Sequence, residues 1–324
     1  STRSGFGAYE MGSMPVAFVT KGPKKQEPQI LVEFKTKCLF EKQKKKICPE
    51  EEPGFYNFYI GVLSLDTERK FWVASPKQDL TLAAASKEAT FPDLSIIFTL
   101  EKEWPVLVFY NIALENADTT ITTLLEIDTN KRPKNTMFFA KANPKATMTG
   151  FWAGIMKPGK HNITVLYTSD QQMPFDPSTN EEKTGALSIL ELPLGSVIYN
   201  LELTKLANLY AGAWLAMPDM MIDVDFITEK NVILMFHVSF TAIYDKNEPQ
   251  KTPFMARIKV DGKEIVHSRS TSTTSTFITC VSASLVHVAA GQHNFELEYF
   301  AGGKWKIDPE TKDKGATMTL VVMD

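Results

Sequence analysis

One short stretch of this sequence occurs twice, and it restricts the possible folds more than any other feature. The first copy begins at Gly159-Lys160-His161-Asn162 and the second at Gly291-Gln292-His293-Asn294. Each copy continues as a largely alternating run of apolar and polar residues up to a tyrosine, Tyr167 or Tyr299. A glycine turn followed by such alternation predicts a tight turn that leads into a half-buried β-strand.

The match between the two copies extends well beyond this turn. The matched pairs are Phe91-Pro92-Asp93 with Met217-Pro218-Asp219, residues 106–110 with 233–237, and Asp176-Pro177 with Asp308-Pro309. The pairs keep the same order in both halves, and their period is too long for a solenoid repeat. We therefore interpret the sequence as a tandem duplication of one domain, which a chain of 324 residues can accommodate.

The domain boundaries follow from the repeat and from the turn-forming residues. Residues 1–28 are predicted to be an N-terminal arm, because residues 1–7 are polar and glycine-rich and the segment around Gly22-Pro23 breaks any regular element. Residues 29–194 form the first predicted domain and residues 195–324 the second. The linker between them is so short that the domains should pack side by side at a fixed angle.

The strand signals predict the fold class. Turn signals recur at short intervals along the chain, and helical periodicity is almost absent. This pattern is typical of sandwiches and jelly rolls. The sequence therefore predicts an all-β protein made of two tandem antiparallel β-sandwich domains of jelly-roll type.

The two glycine turns also resemble a known superfamily. Gly159-Lys160-His161 and Gly291-Gln292-His293, each followed by a strand that runs to a tyrosine, are similar to part of the jelly-roll superfamily of complement globular heads and tumour-necrosis-factor-like cytokines. In that superfamily a similar glycine turn leads into a central strand near a trimer interface. The resemblance implies a jelly-roll fold for each half and assembly into an oligomer.

Composition restricts the classes of partner. Hydrophobic residues make up 44% of the chain and charged residues 23%, which is typical of a globular protein. The formal net charge of −3 gives no overall basic field that would attract nucleic acid. No apolar run approaches the roughly 20 residues that a membrane-spanning helix needs. The expected partners are therefore proteins, with no nucleic acid and no membrane span.

His161 and His293 occupy matching places next to Gly159 and Gly291. A residue that shapes the fold should recur in both copies, whereas a catalytic residue has no such requirement. We therefore predict that both histidines are structural and fix their turns by hydrogen bonding. A metal-binding or pH-sensing role is the alternative.

Oxygen-bearing side chains gather in two matching loops. They are Asp176, Asn180 and Glu182 in the first half, and Asp308, Glu310 and Asp313 in the second. Carboxylate and amide oxygens are the ligands that Ca²⁺ prefers. One calcium site in each copy is therefore a hypothesis, and no other cofactor is expected. The alternative is a polar turn that begins at each Asp-Pro pair.

The chain has three cysteines. Cys38 and Cys48 bracket a short lysine-rich segment, and a disulfide that closes so short a loop would stabilise the fold by about 2–3 kcal/mol. Two reduced cysteines that face inward are an equally good interpretation. Cys280 lies in an alternating strand and is predicted to be a small buried apolar residue.

Phe151-Trp152 marks a difference between the two halves, because the matching residues of the second copy are Ala283-Ser284. Large aromatic side chains that only one copy carries would suit an interface made by that copy alone. We therefore take Phe151 and Trp152 as candidate interface residues.

No nucleophile elbow, phosphate-binding glycine loop, zinc signature or kinase motif occurs in the sequence. We therefore predict a non-enzymatic structural protein that builds a fibre, coat or shell as a homo-oligomer or larger assembly. The expected location is extracellular, at a cell surface or in a virion. The alternative is an extracellular module that binds carbohydrate or a receptor through its loops or a sheet face.

Overall fold

The computed structural model confirms the all-β fold class. All regular secondary-structure elements in the described part of the chain are β-strands, and all of their pairs are antiparallel. The predicted arm lies outside the described residues. The structure describes residues 41–42, 45–46, 69–76, 78–115, 119–132, 135–139, 145–175, 185–205, 207–242, 254–265, 270–272, 277–307 and 315–323. In these stretches no helix has the length and apolar character needed to cross a membrane.

In the first half, the strands pair in a nested order, the first with the last and so on inward. Its strands, with a small hairpin before them, are β1 (Glu41–Lys42), β2 (Lys45–Lys46), β3 (Phe71–Ala74), β4 (Leu80–Leu82), β5 (Ala85–Leu100), β6 (Trp104–Glu115), β7 (Thr119–Ile127), β8 (Asn130–Lys131), β9 (Asn135–Phe139), β10 (Lys145–Met156), β11 (Gly159–Ser169), β12 (Met173–Phe175) and β13 (Gly185–Glu191). The nested pairs are β3 with β13, β5 with β11, β6 with β10 and β7 with β9. This nesting, in two sheets, is the topology of a jelly roll.

The second half repeats that topology. Its strands are β14 (Val197–Glu202), β15 (Ala207–Phe226), β16 (Lys230–Ala242), β17 (Phe254–Val260), β18 (Lys263–Glu264), β19 (Ser270–Ser272), β20 (Phe277–Val288), β21 (Gly291–Ile307) and β22 (Ala316–Met323). The nested pairs are β14 with β22, β15 with β21, β16 with β20 and β17 with β19. The shared topology is what a duplication requires, and the duplication itself stays a prediction.

Each half also carries the same irregularity in its first long strand, β5 or β15. In β5, residues 91–94 lie opposite Val165 alone, and in β15, residues 217–220 lie opposite Leu297 alone. The aspartate of each Pro-Asp pair has a positive φ, 58° at Asp93 and 59° at Asp219. Aspartate tolerates this left-handed conformation better than most residues. Each Pro-Asp pair therefore marks a bulge that bends its strand. Among the described strands, β5 and β15 each pair on one side only, where a proline is tolerated.

Each half buries its own apolar core, the first between its two main sheets and the second between the two layers of one nine-stranded sheet, in which β16 also pairs with β21. In the first half the ring of Phe91 meets Tyr167 and Phe175 edge to face, with centroids 5.7 and 5.3 Å apart. In the second half Phe236 and Phe295 are fully buried. Each such side chain contributes roughly 1.5–3 kcal/mol by leaving water. The two cores therefore give each half its own source of stability.

The structure corrects one detail of the sequence repeat. Residues 106–110 match residues 232–236 and not 233–237. Val106 and Val232 both face a core near the start of matching strands. A shift of one residue moves a strand side chain to the other face of the sheet. The corrected match places His237 on the face of β16 that points away from its own core.

Candidate functional site

A carboxylate and a histidine join two turns at one end of the first half. The Nδ1 atom of His161 lies 3.0 Å from Oδ2 of Asp128, and its Nε2 atom lies 2.8 Å from the carbonyl oxygen of Lys157. The main-chain N–H of Asn162 donates to Oδ1 of Asp128 at 3.0 Å. Both ring nitrogens of His161 thus lie within hydrogen-bond distance of an oxygen atom, and the ring links the two turns.

The second half reproduces this corner with equivalent atoms. The Nδ1 atom of His293 lies 2.7 Å from Oδ2 of Asp261, and its Nε2 atom lies 2.9 Å from the carbonyl oxygen of Ala289. The main-chain N–H of Asn294 donates to Oδ1 of Asp261 at 2.9 Å. Partial burial by itself raises the pKa of Asp261, but the bonds from Asn294 and His293 outweigh it and hold the pKa below its ordinary value.

Backbone geometry explains why glycine and aspartate stand in these corners. Gly159 and Gly291 have φ of 138° and 127°, and a side chain there would meet open space, so only the conformation restricts these positions. Asp128 and Asp261 have φ of 56° and 53°. The structural role of both histidines stays a prediction, and these bonds are the kind that it requires.

We expect Asp128→Ala and Asp261→Ala each to destabilise the chain by about 1–3 kcal/mol, because each removes two hydrogen bonds and a residue suited to positive φ. Asp128→Asn and Asp261→Asn are the matched controls, since asparagine keeps the conformation and one acceptor oxygen. Urea unfolding measures the four effects. Alanine variants no less stable than their asparagine controls would contradict the structural role.

An apolar cluster joins the two halves, and we call it the seam. Its buried members are Leu107, Ala153, Leu190 and Leu192 of the first half, and Met235, Val321 and Met323 of the second. In the first half they lie on the sheet β3-β13-β6-β10 or just beyond β13, and in the second half on the layer β14-β22-β16-β20 of the nine-stranded sheet. These sheets therefore pack face to face and bury apolar side chains on both of their faces.

Hydrogen bonds fix the linker and the edge of the seam. The carbonyl oxygen of Leu192 accepts bonds from Nη1 of Arg69 and Nε1 of Trp104, both at 2.8 Å. Across the seam, Nδ2 of Asn200 donates to the carbonyl oxygen of Ala153 at 3.0 Å. The linker is thus held against the first half where the chain crosses to the second.

The candidate interface residues of the sequence separate in the structure. Phe151 packs against the seam, as does Ala283 from the second half. Trp152 packs instead against the core of the first half, where the guanidinium of Arg132 lies 5.0 Å from its ring. Phe151 therefore faces the second half of the same chain, and Trp152 supports the first core.

A small cavity beside the seam brings together polar groups that the sequence did not single out. Its lining residues are Tyr110, Leu125, Arg132, Gly150 and Phe151 of the first half, and His237 and Thr317 of the second. His237 is 6% exposed. No other residue in the described part of the chain bonds to either of its ring nitrogens, and Nε of Arg132 is likewise unpartnered there. We call this space the seam cavity.

Burial governs the ionisation of both cavity groups. It lowers the pKa of His237 to about 4, and contact with the histidine's own main chain offsets only part of this effect. Burial also lowers the pKa of Arg132, against the opposing influence of Glu202 from the second half. At neutral pH the cavity therefore holds a neutral imidazole and a guanidinium cation.

Gly150 leaves room for Tyr110 beneath the seam cavity. A Cβ atom at position 150 would lie 2.3 Å from Cε1 of Tyr110, whose hydroxyl bonds to Oγ1 of Thr123 at 2.8 Å. We expect Gly150→Ala to destabilise the chain by about 1–3 kcal/mol through this clash. Gly212→Ala is the control, because position 212 faces open space. Equal unfolding free energies for the two variants would contradict this packing.

The outer face of the second half carries an aromatic and charged group of side chains. The guanidinium of Arg257 lies 4.0 Å from the Trp214 ring, whose centroid is 6.0 Å from that of Phe300. Glu298 accepts bonds from Arg257 at 2.7 Å and from Lys259 at 2.5 Å. Partial burial alone raises the pKa of Glu298, but these two cations outweigh it and lower the pKa.

Several candidates from the sequence lie outside the described residues. They are Cys38 and Cys48, and the calcium candidates Asp176, Asn180, Glu182, Asp308, Glu310 and Asp313. The disulfide and the calcium sites therefore stay predictions. Cys280 is a buried free thiol. In the described part of the chain no three His, Cys, Asp or Glu side chains group as metal ligands.

Comparisons with known proteins give only weak structural similarities. No protein-family model and no curated protein matches the sequence. The chain is similar to PNGF-II (7% identity, TM-score 0.27, 78% of this chain and 65% of that chain). It is also similar to dimeric latent PorU from Porphyromonas gingivalis (10% identity, TM-score 0.25, 79% of this chain and 20% of that chain). A third similar structure is the PBSX exported protein XepA (9% identity, TM-score 0.21, 82% of this chain and 90% of that chain).

The chain thus spans less than two thirds of the first two of these structures. TM-scores this low carry no argument about function. They also do not indicate the complement-head and cytokine superfamily, so that resemblance stays a prediction.

Proposed function

We propose that this chain is a non-enzymatic structural protein whose two jelly rolls form one rigid block that assembles with further copies of itself. The block would be a building unit of a coat, shell or fibre. An extracellular, cell-surface or virion location is part of the same proposal.

The seam carries this proposal. A repeating assembly needs subunits that present their contact surfaces at a constant angle, because each contact fixes the position of the next copy. Rotation of one half against the other is restrained here by three features. They are the apolar residues of the seam, the Asn200–Ala153 bond and the anchored linker. Two independent jelly rolls on a flexible linker would lack this property.

Exposed apolar side chains near the linker offer a contact surface. Ile155 on β10, Leu194 in the linker and Val197 on β14 are all exposed. The Asn200–Ala153 bond brings β10 and β14 together. We refer to these three side chains as the linker patch. Where exposed apolar side chains group together, they typically mark protein contact surfaces.

Sedimentation of the full chain at increasing concentration tests the proposal. We expect species of several times the chain mass, and deletion of residues 1–28 should reduce their size while unfolding still shows two folded jelly rolls. A full chain that stays monomeric at every concentration would contradict assembly. A deletion variant with unchanged oligomer mass would contradict the arm's part in it.

Ile155→Asp tests whether the linker patch is a contact surface. A carboxylate there should weaken a contact between copies and lower the oligomer mass at a given concentration, with little change in subunit stability. Ile97→Asp is the matched control, because Ile97 is also exposed but lies on β5, in the other sheet of the first half. If both variants lower the mass equally, the linker patch has no special role.

A binding module is the second candidate, favoured by the outer face of the second half. Trp214, Phe300 and Arg257 combine ring surfaces with charged groups, a combination that suits polar ligands such as sugars. A glycan array, read with and without Ca²⁺, tests this candidate. Binding that Trp214→Ala abolishes would support it, and an array without signal would contradict it.

A further inference from the structure

The seam cavity combines a small space with buried polar groups that need partners. Its volume of about 20 Å³ exceeds the roughly 10–15 Å³ that one water molecule needs, so it leaves room for a single small ion. His237, which lines it from the second half, contributes two ring nitrogens that no other described residue binds, and Arg132 contributes a buried Nε–H from the first half. Leaving such groups unpaired is costly, so a missing ligand is the simplest physical explanation.

The chemistry of the lining selects the class of ligand. The seven lining residues include one cation, Arg132, and no carboxylate. Arg132 can only donate, and the imidazole of His237 donates once when neutral and twice when protonated. The hydroxyl of Tyr110 is already bonded to Thr123. A cavity that is positively charged and rich in donors favours an anion.

We propose that the seam cavity binds a small monovalent anion of halide size, held between Nε–H of Arg132 and a ring N–H of His237. Because these two groups belong to different halves, the bound anion stabilises the seam. This site does not depend on the proposed assembly role, and it stands if the chain proves to be a monomer.

Anion binding should be coupled to proton uptake. On its own sheet His237 lies between Val281 and Thr317, neither of which titrates, and Arg132 is the charged group that lines the cavity from the other half. Glu202 lies beyond Arg132 and acts on it electrostatically. An anion beside the imidazole offsets the cost of its protonation, so the anion should bind more tightly as the pH falls.

Thermal unfolding of the full chain tests the site with chloride as the probe. Sodium chloride is compared with sodium gluconate at equal ionic strength, because gluconate is too large for the cavity. The unfolding midpoint should rise with chloride, by an amount that grows at lower pH. Above the dissociation constant, each tenfold rise in chloride should raise the folding equilibrium constant tenfold. Equal midpoints in the two salts would overturn the proposal and leave a cavity that holds water only.

Substitutions locate the effect. Arg132→Gln and His237→Gln should each abolish the chloride dependence, whereas His287→Gln should keep it, since His287 is an exposed histidine of the same half. A chloride dependence that survives both cavity variants would place the anion elsewhere and overturn the proposal. Chloride NMR line broadening by the unaltered chain provides a measurement that does not rely on the variants folding. Broadening that bromide competes away supports the site, and its absence contradicts it.

Discussion

Replacing Met235 with aspartate is expected to destabilise the chain by about 3–5 kcal/mol and to uncouple its two jelly rolls. Met235 is 3% exposed and lies in the seam between sheets of both halves. The substitution removes a buried apolar side chain and places a carboxylate where no water solvates it. The seam can relieve that cost by opening, so the halves should then unfold in two separate transitions.

Calorimetry and limited proteolysis of the linker measure this effect together. The variant should show two transitions and faster cleavage between the halves, where the unaltered chain shows one transition and slow cleavage. Met221→Asp is the matched control, because Met221 belongs to the same half but is 55% exposed. A Met235 variant that unfolds like the Met221 control would show that the seam contributes little stability.

Acidification is expected to remove about 3 kcal/mol of stability through His237 alone. The pKa of this histidine is about 4 in the folded chain and about 6.5 in the unfolded chain, because burial disfavours the cation. The unfolded state therefore binds more protons between these values. The contribution of His237 is complete above pH of about 6.5 and is lost as the pH falls towards about 4.

The difference between the unaltered chain and His237→Gln isolates this contribution, because other groups titrate in both proteins. Urea unfolding in chloride-free buffer should show that the unaltered chain loses about 3 kcal/mol more stability than His237→Gln as the pH falls from about 6.5 to about 4. His287→Gln should leave the slope of the unaltered chain unchanged. Parallel curves for the unaltered chain and His237→Gln would mean that the histidine is solvated in the folded state.

The sequence predicted the parts of the fold that are encoded locally. The bulges at the two Pro-Asp pairs were not predicted, but a glycine two residues before His161 or His293 marks a tight turn, because few other residues tolerate positive φ. Such signals recur in both halves and do not depend on distant contacts. The fold class followed from them, together with the alternation of the strands.

The seam could not be recognised from the sequence. Its members, such as Leu107 and Met235, sit in strands that are apolar on both faces, and such strands carry no alternation to tell core from interface. His237 was missed for a related reason. In the sequence repeat, residues 106–110 were paired with 233–237, one residue away from the match that the structure gives, and this pairing did not mark His237 as different from its neighbours. Alternation with Val238, which faces the core, was the signal that could have corrected this.

The hydrogen-bond partners of His161 and His293 also could not be predicted from the sequence. The bonds that Asp128 and Asp261 make to His161 and His293 join residues more than thirty positions apart in the chain. Pairing at that distance depends on the sheet register, which one sequence does not supply.

A distance measurement between the two halves tests the central claim, that the jelly rolls form one rigid block, most directly. Spin labels are attached at Lys160→Cys and Gln292→Cys, both exposed positions, with Cys38 and Cys48 changed to serine and Cys280 left buried. The labelled chain is diluted with unlabelled chain, so that only distances within one chain contribute. Pulsed electron–electron double resonance should then give one narrow distance distribution, and a broad or multiple distribution would contradict the account.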